Sequence, residues 1–176
     1  MRNKLTRERL QALMREIARV APGKQPYQVY LVGGGTAVYS GWRASSIDAD
    51  LFSEREEVFR DIQGIKERLN LNVEVARPEH FVPALSGSAS RHIHIETIGG
   101  VTFYHYDPYA QVFSKLVRGF ERDMRDVRQF VASGLVDPEE LRRLVAKIPT
   151  TAFARYPNLT RAGVTAAVDA FLRETG

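Results

Sequence analysis

Three consecutive glycines, Gly33-Gly34-Gly35, follow directly on the short apolar run Gln28-Val29-Tyr30-Leu31-Val32. The run predicts a strand, and Thr36 to Tyr39 suits a short helix. Glycine has no β-carbon, so it bends tightly and lets backbone N–H groups come close to an oxyanion. The same bend is also what a bare strand-to-helix turn needs. No Gly-Lys-Ser/Thr follows, so this is not a Walker loop. Val38 stands where a dinucleotide fingerprint has its third glycine.

Around this bend the pattern alternates between helix and strand. Leu10, Leu13, Met14, Ile17 and Val20 repeat at helical spacing, which predicts an amphipathic helix over 6–20 with Thr6 as N-cap, stopped by Pro22-Gly23. Strands are expected at 47–52, 71–76, 91–98 and 101–106, the last two joined at Gly99-Gly100 as a hairpin. Val58, Ile62, Ile65 and Leu69 predict a helix over 54–69. From Asp107-Pro108 onward only helices are expected: 107–132, one starting at Asp137-Pro138, and 160–173. The fold class is therefore α+β, a 1–106 core followed by a helical part, 107–176, packed on it.

Composition narrows the function. The chain has 176 residues and no cysteine, which excludes a disulfide scaffold, thiolate zinc sites, iron–sulfur clusters and cysteine nucleophiles. That usage fits a reducing cytoplasm. No apolar run reaches the ~18–20 residues of a membrane span, and residues 1–19 lack the apolar stretch of a signal peptide, so no membrane role is expected. A net charge of +4 permits a phosphate-rich partner.

Asp48 and Asp50 lie at i and i+2 of the expected strand and so share one face. Ile47, Ala49 and Leu51 then face the core. Two carboxylates ~7 Å apart along a strand repel each other unless a cation lies between them. Hard oxygen ligands suit Mg²⁺ or Mn²⁺. A solvated polar face would carry the same pair. A third carboxylate could come from Glu74, on the strand after the next helix, or from Glu96, which shares a strand face with His92 and His94. Nothing else completes a zinc site around those histidines, so they read as the polar face of a hairpin. Arg91 could meet a phosphate or a surface carboxylate, and Trp42 a base or the core.

Gly34-Gly35, Arg43-x-Ser45 and Asp48-Ala49-Asp50-Leu51 resemble, in order and spacing, the glycine and metal motifs of the DNA polymerase β-like nucleotidyltransferase superfamily. Ala49 departs from the usual isoleucine or valine, which touches packing and not ligands. The resemblance implies a mixed sheet flanked by helices, with Asp48, Asp50 and Glu74 as metal ligands. Gly33, Gly34, Gly35, Thr36, Arg43, Ser45 and Ser46 would bind nucleotide phosphates.

On a single helical wheel over 107–132, Phe113, Leu116, Val117, Phe120, Met124, Val127 and Val131 gather on one side. Lys115, Arg122 and Asp126 fall opposite, with Asp123 at the flank. Lys115-Leu-Val-Arg118 and Arg122-Asp-Met-Arg-Asp126-Val are similar to motifs of the bacterial abortive-infection, type IV toxin–antitoxin nucleotidyltransferase toxins. That similarity implies that Lys115 binds an NTP triphosphate and that Asp123 or Asp126 acts as an acid/base or site-organising group. The wheel favours Asp126 as the partner of Lys115. The implied reaction moves an NMP from NTP to an acceptor hydroxyl, RNA such as the tRNA 3′ end, with a cognate antitoxin protein as partner. A small-molecule or protein acceptor, or a nucleotide-binding module without turnover, remains open from these residues.

Overall fold

The structure is a computed structural model and describes residues 1–23 and 26–175. The chain forms two compact units: Met1–Arg77 with Ile93–Tyr106, and Pro78–His92 with Asp107–Gly176. Residues 78–92, which interrupt the α+β part in sequence, thus belong with the helices.

In the first unit, β1 (Leu5–Thr6) leads into α1 (Arg7–Val20), whose first turn is capped by Thr6 accepting from the Arg9 N–H. β2 (Tyr27–Val32) runs through the glycine bend into α2 (Gly34–Tyr39). β3 (Ser45–Ser46), β4 (Asp48–Phe52), α3 (Ile62–Leu69), β5 (Asn72–Val75), β6 (Ile93–Ile98) and β7 (Val101–His105) complete it. The sheet order is β5-β4-β2-β7-β6, with β4–β5 and β2–β7 parallel and β2–β4 and β6–β7 antiparallel. The expected mixed sheet flanked by helices is what forms. β1 and β3 make a separate two-stranded pair that the sequence pattern did not suggest.

One sheet face packs against the helices. Leu10, Leu13, Met14 and Ile17 of α1 and Ile65 of α3 close on Val29, Leu31, Ala49, Leu51, Val73, Val101 and Phe103. Each large side chain buried in this way contributes roughly 1.5–3 kcal/mol. Strand alternation then sends Tyr30, Val32, Asp48, Asp50, Phe52, Glu74 and Tyr104 to the opposite face.

Two expectations in this unit need correction. Ile47 is 58% exposed, because it lies between β3 and β4 instead of inside a strand. The 54–69 segment is a 3-10 turn (Glu56–Phe59) followed by α3, not one helix. Both pieces still bury their apolar residues, Val58 and Ile65, which is why the periodicity looked continuous.

The second unit contains α4 (Pro108–Arg118), α5 (Glu121–Ala132), α6 (Pro138–Ala146) and α7 (Arg161–Thr175). Asp107 caps α4 by accepting from the Tyr109 N–H at 2.9 Å, and Asp137 caps α6. The single helix expected over 107–132 is broken. Gly119 takes φ +70 and its N–H closes on the Lys115 carbonyl, the left-handed ending that glycine favours. α4 and α5 therefore fold back as a helical hairpin with Val112, Phe113, Leu116, Val127 and Phe130 buried. Phe120, on the apolar side of the wheel, is 58% exposed at the elbow.

Candidate functional site

In the first unit the glycine bend sits against β4. Gly33 has φ +56, and a β-carbon on it would stand 3.1 Å from Asp50 Oδ2. A β-carbon on Gly34 would collide with the Ser46 hydroxyl and approach Ser46 Cβ to 3.0 Å, with an Arg43 guanidinium nitrogen 3.7 Å away. Gly35 is different: its β-carbon would meet only ordinary contacts, 3.7 Å to the Asp50 carbonyl and 3.8 Å to Leu31 Cβ. Close approach thus requires glycine at 34, while at 33 the positive φ favours it and the contact to Asp50 is tight.

The carboxylates share the sheet face turned away from the core. Asp50 is the register partner of Glu74 on β5 and of Val32 on β2, and Asp48 is the partner of Asn72. Side-by-side partners in a parallel pair point the same way, so Asp50 and Glu74 flank each other. Glu96 lies on β6, three strands from β4, about 14 Å at ~4.8 Å per strand. Asp48 and Asp50 are half-buried and Glu74 is exposed. Neither Asp48 nor Glu74 has an ion-pair or hydrogen-bond partner for its carboxylate among the described residues. The donors are of the hard-oxygen type that Mg²⁺ takes. Among the described residues, no three His, Asp or Glu side chains are already drawn together into a metal-holding group.

The neighbouring polar residues divide by what already holds them. The Ser46 hydroxyl donates to the Asp48 carbonyl at 3.0 Å, which ties the loop before β4 to the strand. Ser45 lies half-buried on β3, opposite Thr6. Thr36 is buried, and its hydroxyl donates to the Leu31 carbonyl at 3.2 Å. With its proton committed there, the Thr36 oxygen accepts from His105 Nδ1 at 3.1 Å, which sets the His105 tautomer as Nδ1–H. Burial pushes His105 down to about 4, so the ring is neutral at pH 7. Trp42 is half-buried just after α2. Sequence reasoning missed an aromatic row across four strands of this face. Phe52, Tyr30, Tyr104 and His94 are successive register partners, with Tyr30–Tyr104 centroids 5.4 Å apart. Burial raises the Tyr30 hydroxyl above its ordinary range. The β-branched and aromatic content of each strand was visible, but the register that aligns these rings was not.

In the second unit Lys115, Asp123 and Asp126 are 4%, 2% and 2% exposed. Lys115 Nζ donates to Asp126 Oδ2 at 3.0 Å and to Asp123 Oδ1 at 3.3 Å. The wheel, which assumed one helix, set this charge opposite the apolar side; the Gly119 elbow instead turns it into the α4–α5 seam. Arg118 Nε reaches Asp123 Oδ2 at 3.5 Å. Arg91 makes a two-pronged pair with Asp107, Nε to Oδ1 at 3.1 Å and a terminal nitrogen to Oδ2 at 2.8 Å. His92 Nδ1 accepts from the Asp107 N–H at 2.9 Å, so both residues serve the start of α4.

A family model described as "Nucleotidyltransferase of unknown function (DUF6036)" matches residues 8–162. No curated protein and no solved structure matches the chain. Among the described residues, no helix is long and apolar enough to cross a membrane.

Proposed function

The chain belongs to that nucleotidyltransferase family, and from this premise we propose that it moves a nucleoside monophosphate from an NTP to an acceptor hydroxyl by divalent-cation-dependent chemistry. One observation carries the reading: three carboxylates on one face of neighbouring strands, two of them unpaired, stand beside a glycine bend where a β-carbon would crowd Asp50 and collide with Ser46. Unpaired like charges on a shared face cost free energy that a bound cation offsets.

Asp48, Asp50 and Glu74 would hold Mg²⁺ or Mn²⁺, which when bound supplies positive charge against the triphosphate and the acceptor oxygen. The bend at Gly33, Gly34 and Gly35 offers main-chain N–H groups to the β- and γ-phosphates, with no side chain in the way. Arg43 adds positive charge beside the bend, and Ser45 a hydroxyl. Thr36 fixes the bend from below through Leu31 and His105, so its contribution to nucleotide binding is positional. The acceptor oxygen bonds to the α-phosphorus, the bond to the bridging oxygen breaks, and pyrophosphate leaves. A carboxylate of this face takes the acceptor proton. Lys115 is assigned to the triphosphate side of the reaction by its motif; its salt bridges to Asp123 and Asp126 support an organising role for the pair.

The toxin resemblance supports RNA, such as the tRNA 3′ end, as acceptor, with a cognate antitoxin protein as partner and action in the cytoplasm. The test incubates the protein with each α-labelled NTP, Mg²⁺ and total RNA. Label on RNA is the expected result, lost in Asp48→Ala and Asp50→Ala and on addition of EDTA. Label on a small molecule or protein reassigns the acceptor. No label and no pyrophosphate with any NTP overturns the reading.

A further inference from the structure

At the α4–α5 elbow the guanidinium of Arg118 packs against two phenyl rings, 5.6 Å from the Phe81 centroid and 5.4 Å from the Phe120 centroid. All three residues belong to the second unit. Phe81 is 50% and Phe120 58% exposed, among the largest apolar exposures of the described residues. The positions are fixed. Phe81 follows a 3-10 turn, with its N–H bonded to the Pro78 carbonyl at 2.9 Å, and Phe120 is the first residue after the left-handed Gly119. The Nε edge of Arg118 is held by Asp123 at 3.5 Å.

Beside this stack, Arg122 and Arg125 lie three residues apart on one side of α5. Both are exposed and neither makes an ion pair or hydrogen bond among the described residues. Across 118–125 the exposed charges are Arg118, Arg122 and Arg125 against Glu121 alone, since Asp123 is buried.

We propose that Phe81, Arg118 and Phe120 form a stacking platform for a single-stranded nucleic acid, with Arg122 and Arg125 receiving its phosphates. Two exposed π faces in contact with one guanidinium match the faces of unpaired bases, whatever their sequence. Uncompensated cations next to them match a backbone that carries one charge per nucleotide. An acidic peptide could pair with the forks of Arg122 and Arg125 but would give the two exposed phenyl faces no planar partner. An apolar protein face would have to bury Arg122 and Arg125 unpaired, which is costly. The platform gives the acceptor of the proposed transferase a docking surface, and so rests on that reading for its role though not for its binding.

The test is fluorescence anisotropy of a labelled short oligouridylate with the whole protein at low and moderate salt. Phe81→Ala and Phe120→Ala should each weaken binding about five- to a hundredfold, the loss of one stacked base. Phe120→Leu should weaken it nearly as much, because leucine keeps the apolar surface and lacks the π face. Arg122→Gln with Arg125→Gln should flatten the salt dependence by ~0.7 for each phosphate that is no longer neutralised. These side chains are exposed, so the variants should retain the parent's circular dichroism. Absence of binding by the parent protein overturns the proposal, even where nucleotide transfer to another acceptor is observed. Binding indifferent to both phenylalanines overturns it too, as does full rescue by Phe120→Leu, which marks an apolar protein-docking patch. Phenylalanine-dependent binding in a protein that transfers no nucleotide supports the platform and sinks the transferase reading instead.

Discussion

A β-carbon on Gly33 would stand 3.1 Å from Asp50 Oδ2, so that the carboxylate would have to give by a few tenths of an ångström to admit it. Gly33 also sits at φ +56 and ψ −122, outside the left-handed helical region and favourable to glycine, where an L side chain is strained by ~1–3 kcal/mol. The bend and the metal-motif strand are thereby fitted to each other.

This fit predicts a graded alanine scan of the bend. Gly34→Ala must displace Ser46 and should destabilise by ~1–3 kcal/mol, as overpacking does. Gly33→Ala should cost a comparable amount from strain and the Asp50 contact. Gly35→Ala, in α2 with only ordinary contacts, should be neutral or up to ~1 kcal/mol stabilising. Urea unfolding of the three variants checks the order, and a destabilised Gly35→Ala would contradict it.

The buried Lys115 charge predicts an asymmetry. Lys115→Ala removes the ammonium that Asp123 and Asp126 share in the α4–α5 seam, leaving Asp123 only its longer contact with Arg118, and should destabilise by ~3–5 kcal/mol. Asp126→Asn keeps a hydrogen-bond acceptor for Nζ and leaves the Asp123 pair, so it should cost less. Chemical denaturation of both variants measures the difference; equal losses would mean that the charges are not coupled.

His105 sets a pH dependence. Its pKa is about 4 in the fold against 6.5 for the ordinary side chain. Between these values the unfolded chain binds a proton that the folded one does not, so stability falls as pH drops. The loss should begin near pH 6.5 and be complete below about pH 4, up to ~3 kcal/mol in total. A His105→Gln variant should lose this component while keeping the remaining acid sensitivity. Unfolding free energies measured from pH 7 to 4 in both proteins check it.

Register gives the third carboxylate a test. Glu74 flanks Asp50 and Glu96 lies three strands from β4. Glu74→Ala should therefore cut nucleotide transfer by roughly a hundredfold or more, the scale of one lost electrostatic group. Glu96→Ala should leave it within about twofold. Steady-state pyrophosphate release from both variants, with thermal melts to confirm folding, reads the outcome.

Much of the first unit is local in origin. A glycine bend after an apolar run, alternation in β4 and β5, and helical spacing in α1 each follow from neighbours in the chain, and each forms as the pattern predicts. The errors share another origin. The wheel over 107–132 merged two helices because both halves are amphipathic, and Gly119 is one residue whose φ cannot be read from spacing. Ile47 carried a core-like identity but fell between two strands.

The sequence by itself determined the strand–bend–helix start, the shared face of Asp48 and Asp50, and membership in a nucleotidyltransferase family, because these depend on periods of two and 3.6 residues and on residue type. Only the tertiary structure decided that Glu74 lies beside Asp50, that Lys115 is locked between two aspartates, and that Phe120 is left in solvent beside Arg118. Those are relations between residues brought together by strand register and by one left-handed turn, and no local preference encodes them.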